Sequence, residues 1–129
     1  PRTTVFKNVE RPMIYAGVPP EERAKRVMDA LSLVHLEDKA DNLSNKISGG
    51  QIQRVAIARA LVMNPSIIFA DEPTGNLDTK TAHEIMEFIK TLNKQGKTIV
   101  LITHEDDIAA FAQRKIKLVD GKIVSDTKK

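Results

Sequence analysis

Apolar residues recur along this chain at two different periods, and the change from one to the other divides it. From Glu21 to about Leu33, the residues Ala24, Val27, Met28 and Leu31 fall at the 3, 4 and 7 spacing of one buried helix face. The acidic Glu21 and Glu22 at its start suit the helix dipole. Gly17-Val18-Pro19-Pro20 separates this helix from an earlier one, Val5 to Tyr15, expected to be short and interrupted by Pro12. Asp38 to Leu43 reads as a further helical turn. Residues 1–47 are thus expected to form a small helical subdomain.

The pattern shifts after Ser48, which suits the N-cap of a helix from Gly49 to Met63 with Ile52, Val55, Ala56, Ala60 and Leu61 inward. Asn64-Pro65 stops it. Ser66 to Ala70 is a continuous apolar run, expected of a strand buried on both faces. Asp78 can cap a helix from Thr79 to about Asn93, with Ala82, Ile85, Met86, Ile89 and Leu92 on one stripe, and Gln95-Gly96 ends it. Thr98 to Thr103 is a second buried strand. That order implies parallel pairing through a right-handed crossover. A short helix follows from Asp106 to Ala112. Lys115–Val119 and Lys122–Ser125 then pair across Asp120-Gly121, a hairpin turn signal. The expected fold is α/β, with parallel strands, a crossover helix and a C-terminal hairpin over residues 48–129.

Composition narrows the classes. The 129 residues suffice for about one domain, and 41% hydrophobic with 29% charged residues is the balance of a globular chain. The net charge of +3 is mild and the cations are scattered. One Tyr and four Phe leave no aromatic platform for stacking bases, so no nucleic-acid partner is expected. Without Cys there is no disulfide, thiol nucleophile or cysteine metal site, which fits a reducing compartment. No apolar stretch is long enough to span a bilayer and no signal peptide is visible, so service to a membrane would go through a partner.

Three features carry candidate chemistry. Asp71 and Glu72 sit just past the end of the apolar strand, where open parallel sheets place ligands. An acidic pair opening a solvated loop is the bland alternative. His104 closes the second strand at the same rim, where a neutral imidazole could meet a phosphate oxygen; alone it would more often be structural. Ser48-Gly49-Gly50 at a helix start offers a hydroxyl and exposed amides to an anion, or is an ordinary capped helix.

Their joint spacing decides between these readings. Ile47-Ser48-Gly49-Gly50-Gln51, then Arg54 to Leu61, then Asp71-Glu72-Pro73-Thr74-Gly75-Asn76-Leu77-Asp78, then His104 resembles the ATP-binding cassette (ABC) transporter ATPases. The match covers that family's signature motif, Walker B, D-loop and switch histidine in order. Ile47 replaces the usual Leu, a change that should still fill an apolar pocket. Gly75-Asn76-Leu77-Asp78, with Asn8-Val9-Glu10 and Tyr15-Ala16-Gly17 upstream, is similar to the lipoprotein-release and macrolide-export branch.

The resemblance implies a partial P-loop NTPase fold, with a helical signature subdomain followed by part of a RecA-like core. It implies ATP and magnesium as ligands, a second ATPase subunit as partner in a homodimer, and a membrane permease holding the protein at the cytoplasmic face. By the same resemblance Ser48, Gly49, Gly50 and Gln51 would contact the triphosphate bound by the opposite subunit. Asp71 would hold magnesium through water, Glu72 would be the general base, His104 would sense the terminal phosphate, and Asp78 would communicate across the dimer.

One part is missing from these residues. A Walker A loop reads G-x-x-x-x-G-K-[ST] between a strand and a helix. Gly96-Lys97-Thr98 precedes a strand and has Thr91 where the first Gly should stand. The adenine-stacking aromatic and the Q-loop glutamine are not identifiable either, and Pro1 falls just beyond where that glutamine is expected. The chain therefore resembles the C-terminal half, or slightly more, of such a subunit. It is expected to be inactive by itself, because phosphoryl transfer depends on Walker A amides and lysine. It is also expected to self-associate through exposed sheet edges around Ile67–Ala70. Two alternatives stand beside this reading: a non-catalytic module presenting the signature surface, and a DNA-repair or chromosome-maintenance ATPase head. The long heptad segments that flank such heads are absent here.

Overall fold

The computed structural model describes residues 3–129; the expected chain start at Pro1 and Arg2 lies outside the described residues. Helix α1 spans Val5–Tyr15, α2 Pro20–Leu33, a 3₁₀ turn Glu37–Lys39, and α3 Gly49–Leu61. Strand β1 (Ile67–Asp71), helix α4 (Thr79–Lys94), strand β2 (Thr98–Ile102) and the one-turn helix α5 (Asp106–Ala109) follow. Strands β3 (Arg114–Val119) and β4 (Lys122–Lys128) close the chain.

Three helices make the first core. Val5, Val9 and Met13 of α1 meet Val27, Ala30 and Leu31 of α2, and Val55 and Ala58 of α3 pack into the same cluster. Ile47 packs against its edge, as expected of an apolar residue before the signature turn. Three expectations are corrected. Pro12 does not interrupt α1: the helix runs through it, and Ala16 N donates to Pro12 O at 3.0 Å, so the ladder resumes beyond the missing N–H. Buried Val9 and Met13 hold the helix on either side of the proline, offsetting its local cost. The inward face of α2 is Val27, Ala30 and Leu31, while Ala24 and Met28 face solvent. Likewise α3 buries Val55, Ala58 and Leu61, leaving Ile52 and Ala60 exposed.

The second core lies under the parallel strands. β1 and β2 pair in register from Ile67↔Thr98 to Asp71↔Ile102. Ile85, Met86 and Ile89 of α4 with Ile108 of α5 pack against Ala70, Ile99, Leu101 and Phe111. All five stripe positions expected on α4 are buried. The strands themselves are not buried on both faces, as their apolar runs suggested. Alternate residues Ile67, Phe69, Val100 and Ile102 are exposed, Phe69 at 72%, because α4 covers one side of a two-stranded sheet. The hairpin forms as expected, β3 antiparallel to β4, and Asp120 (φ 49°) and Gly121 (φ 73°) take the left-handed conformations of a tight two-residue turn.

Candidate functional site

At the C-terminal rim of the parallel pair, the register of Asp71 opposite Ile102 brings the residues that follow each strand together. Glu72 N donates to Ile102 O at 2.9 Å, extending the ladder by one bond. The chain then turns sharply, with Glu72 at φ 43°, a left-handed conformation uncommon for a non-glycine residue. Gly75 N closes the turn on Glu72 O at 3.2 Å. Strain of this kind, on the order of 1–3 kcal/mol, clusters where a side chain must be aimed.

The turn aims Glu72 at His104. Its Oε1 accepts from His104 N at 3.1 Å and lies 2.7 Å from His104 Nδ1, while Oε2 accepts from Thr103 Oγ1 at 3.3 Å. An ionised carboxylate only accepts, so Nδ1 carries the proton and Nε2 is the nitrogen left for a ligand. The ring is 82% exposed. The hydrogen bond from His104 holds the Glu72 carboxyl below its ordinary value, and the same bond with the Glu72 charge raises His104. Asp71 parts company with Glu72: it is exposed at the strand end, on the open face with Ile67 and Phe69.

Sequence reasoning placed Glu72 and His104 on one rim but did not foresee their contact, and it missed the supporting network. Thr103 Oγ1 also accepts from Glu105 N at 3.1 Å, and Thr74 Oγ1 donates to Glu105 Oε1 at 3.4 Å. Thr74 is the buried polar residue of this region. The signal available in the sequence was the Thr103-His104-Glu105 run, since a threonine hydroxyl often binds the amide two residues on.

The Ser48 turn stands apart. Among the described residues no hydrogen bond or ion pair joins it to Asp71, Glu72 or His104. Ser48 caps α3 in a reciprocal box: Gln51 N donates to Ser48 Oγ at 3.3 Å and Ser48 N to Gln51 Oε1 at 2.9 Å. Both side chains are thereby used as acceptors. Their donors remain free of these bonds, the Ser48 O–H and the Gln51 Nε2 hydrogens, beside the N–H groups of Gly49 and Gly50 that no helix carbonyl satisfies. Such a turn suits an anion. Asp78 is occupied within the chain as the cap of α4, Oδ1 accepting from Thr81 N at 3.0 Å and Oδ2 from Thr81 Oγ1 at 2.6 Å. Those bonds lower its carboxyl, the Thr81 hydroxyl most.

Comparison with known proteins places this arrangement. Residues 1–75 match the model of the family described as ABC transporter. The chain belongs to that family. It is 51% identical over 122 residues to the ABC transporter ATP-binding protein YtrE of Bacillus subtilis, covering 94% of this chain and 53% of that protein. It is 53% identical over 128 residues to the macrolide export ATP-binding/permease protein MacB of Chlorobium phaeobacteroides, covering 99% of this chain and 19% of that one. The fold superposes on the dimeric structure of MJ0796, a bacterial ABC transporter cassette, with a TM-score of 0.82 and 46% identity, covering 98% of this chain and 56% of that one. A second MJ0796 structure, bound to ADP and Pi in a post-hydrolysis state, aligns at a TM-score of 0.81. The chain thus spans about half the length of the single cassettes it matches. No helix among the described residues is long and apolar enough to cross a membrane.

Proposed function

We propose that this cassette chain forms part of the ATP-hydrolysing subunit of a membrane exporter or release system, working as a dimer of ATPase subunits beneath a permease at the cytoplasmic face. The observation that carries the reading is the Glu72–His104 pair, set at the ends of adjacent parallel strands and remote in hydrogen bonding from the Ser48 turn. Two separate half-sites on one chain fit two composite sites across a dimer. The similarity to MacB supports the exporter branch.

In this reading the Ser48 and Gln51 donors and the Gly49 and Gly50 amides face the terminal phosphates held by the partner. Asp78, as the cap of α4, stands where its loop meets that partner. His104, protonated on both nitrogens with Glu72 favouring that form, donates Nε2–H to a phosphate oxygen. Glu72, its two oxygens now accepting three donors, is too weak a base to take a proton from water while it holds His104. It becomes the general base when His104 turns to the phosphate and releases Oε1. Asp71 fits magnesium held through water, its carboxylate exposed at the strand end. Magnesium commonly takes one or two carboxylates with waters and phosphates and, when bound, neutralises developing phosphate charge.

The 129 residues carry no Walker A loop, so by themselves they are expected to show no appreciable magnesium-dependent ATPase. Steady turnover abolished by Glu72→Gln would overturn that. The positive test mixes the chain with a family cassette that has an intact phosphate loop but a substituted signature serine. Restored ATP occlusion, lost again with Ser48→Ala, supports the composite site; association without occlusion favours a non-catalytic module.

A further inference from the structure

Gly50 is the second residue of α3, and across the gap from it stands Thr81, in the first turn of α4. A Cβ placed on Gly50 would lie 2.5 Å from Thr81 Cγ2, but 3.8 and 4.0 Å from Thr81 Cβ and Oγ1. One methyl group fills the space that any other residue at position 50 would need. A terminal methyl ordinarily swings aside at little cost. This one is held, because Thr81 Oγ1 donates to Asp78 Oδ2 at 2.6 Å while Thr81 N donates to Oδ1. Threonine carries both heavy atoms on Cβ, so rotating χ1 to move the methyl also takes the hydroxyl off the carboxylate. Asp78 therefore sets the rotamer of Thr81, and Thr81 sets the approach of Gly50.

Neighbouring contacts keep the two helix starts in register. Leu77 Cδ2 lies 3.9 Å from a Cβ placed on Gly49. Farther along, Arg54 Nη2 pairs with Glu84 Oε2 at 3.3 Å, with the arginine side chain mostly buried. Upstream, the loop to Asp78 is closed by its own bonds, Gly75 N to Glu72 O and Leu77 N to Thr74 O. A compact, hydrogen-bonded segment thus runs from Glu72 to Asp78, and Thr81 joins its end to the Ser48 turn.

The geometry points to Thr81 as a positioning residue: through its hydroxyl on Asp78 and its methyl on Gly50, it transmits the placement of the loop after Glu72 to the Ser48–Gln51 turn of the same chain. As a step in catalysis this rests on the reading of that turn as phosphate-facing. Glycine at position 50 is then required by packing inside the chain as well as by any ligand. Among the described residues the Ser48 turn shares no hydrogen bond with Asp71, Glu72 or His104, and Thr81, beside the Leu77 contact on Gly49, links the two.

The test is a double-mutant cycle on the 129-residue chain, read without nucleotide so that it stands or falls separately from the occlusion experiment. Gly50→Ala alone is expected to lower Tm by about 5–10 °C through overpacking. Thr81→Ser keeps the hydroxyl bond, removes the methyl, and costs far less. The double variant Gly50→Ala, Thr81→Ser should regain most of the loss. Additive losses overturn the proposal. Should Gly50→Ala fail to fold, Asp78→Ser supplies the second measurement, since serine retains one cap oxygen for Thr81 N but not the second acceptor. It should shift the Gly50 and Gln51 amide resonances in the wild-type background and leave them in place in a Thr81→Val background. Equal shifts in both backgrounds overturn the link, because a threonine serving only the helix cap would not make the response at Gly50 depend on its hydroxyl.

Discussion

The two halves of this molecule are similarly rich in apolar residues and differ in how much of that richness they hide. In the helical half Val5, Val9, Met13, Val27, Leu31 and Val34 are fully buried. In the strand-bearing half Ile67, Phe69 and Ile102 are at least half exposed, and so are Leu118, Ile123 and Val124 of the hairpin. The reason is geometric. An amphipathic helix has one stripe to hide, and three helices satisfy one another. A parallel strand with a continuous apolar run has two faces to hide, and α4 covers one. The helical layer closes with Phe88 of α4 packed at its edge, whereas the sheet keeps one open face, with Asp71 and Glu72 at its rim.

Substitutions can break this contrast. Leu31→Ala, inside the closed core, should cost about 2–5 kcal/mol of unfolding free energy in urea, by lost transfer and residual cavity. A loss within ±0.5 kcal/mol, the usual surface range, would mean that the helical core is not closed. Ser48→Ala removes the cap of α3 and should cost about 1 kcal/mol, seen in the same titration. Phe69→Ser, on the open face, should change stability by less than about 0.5 kcal/mol. Its effect should appear in light scattering, as reduced self-association of the chain. A wild-type mass that stays monomeric at every concentration would count against the sheet as a self-association surface.

The smallest effect concerns the rim. His104 should titrate above its ordinary 6.5, and Glu72→Gln should bring the midpoint back down, read from the imidazole proton resonances. The sign follows from both partners. The raised His104 contributes stability that is fully present below 6.5 and lost as pH rises through its folded value. The lowered Glu72 contributes above 4.5 and loses it as pH falls through its folded value. The pair's contribution is therefore fully present between 4.5 and 6.5, and its exposure keeps it small.

How far the sequence could be read varied with the element. The stripe of α4 was legible residue by residue because the rest of that helix, Phe88 apart, is polar. On α3 the inward face was misjudged at Ile52 and Ala60, since apolar residues lie all around that helix and its neighbours choose among them. At Pro12 a local rule pointed to a break, and burial of Val9 and Met13 overrode it. The site followed the same division. Ser48 as a cap and Asp71 and Glu72 at a strand end were local readings. The Glu72–His104 contact depends on strand register and on a left-handed turn at a glutamate, and the Thr81 methyl against Gly50 on the approach of two helices.

By itself, then, the sequence determined the order and type of the elements, the caps, the hairpin and the family, because periodicity, turn chemistry and motif spacing are properties of neighbouring residues. Tertiary structure alone decided which faces are covered, which rim residues touch, and that the Thr81 methyl lies against Gly50. Those outcomes are set by distances between segments far apart in the chain, and no local pattern encodes them.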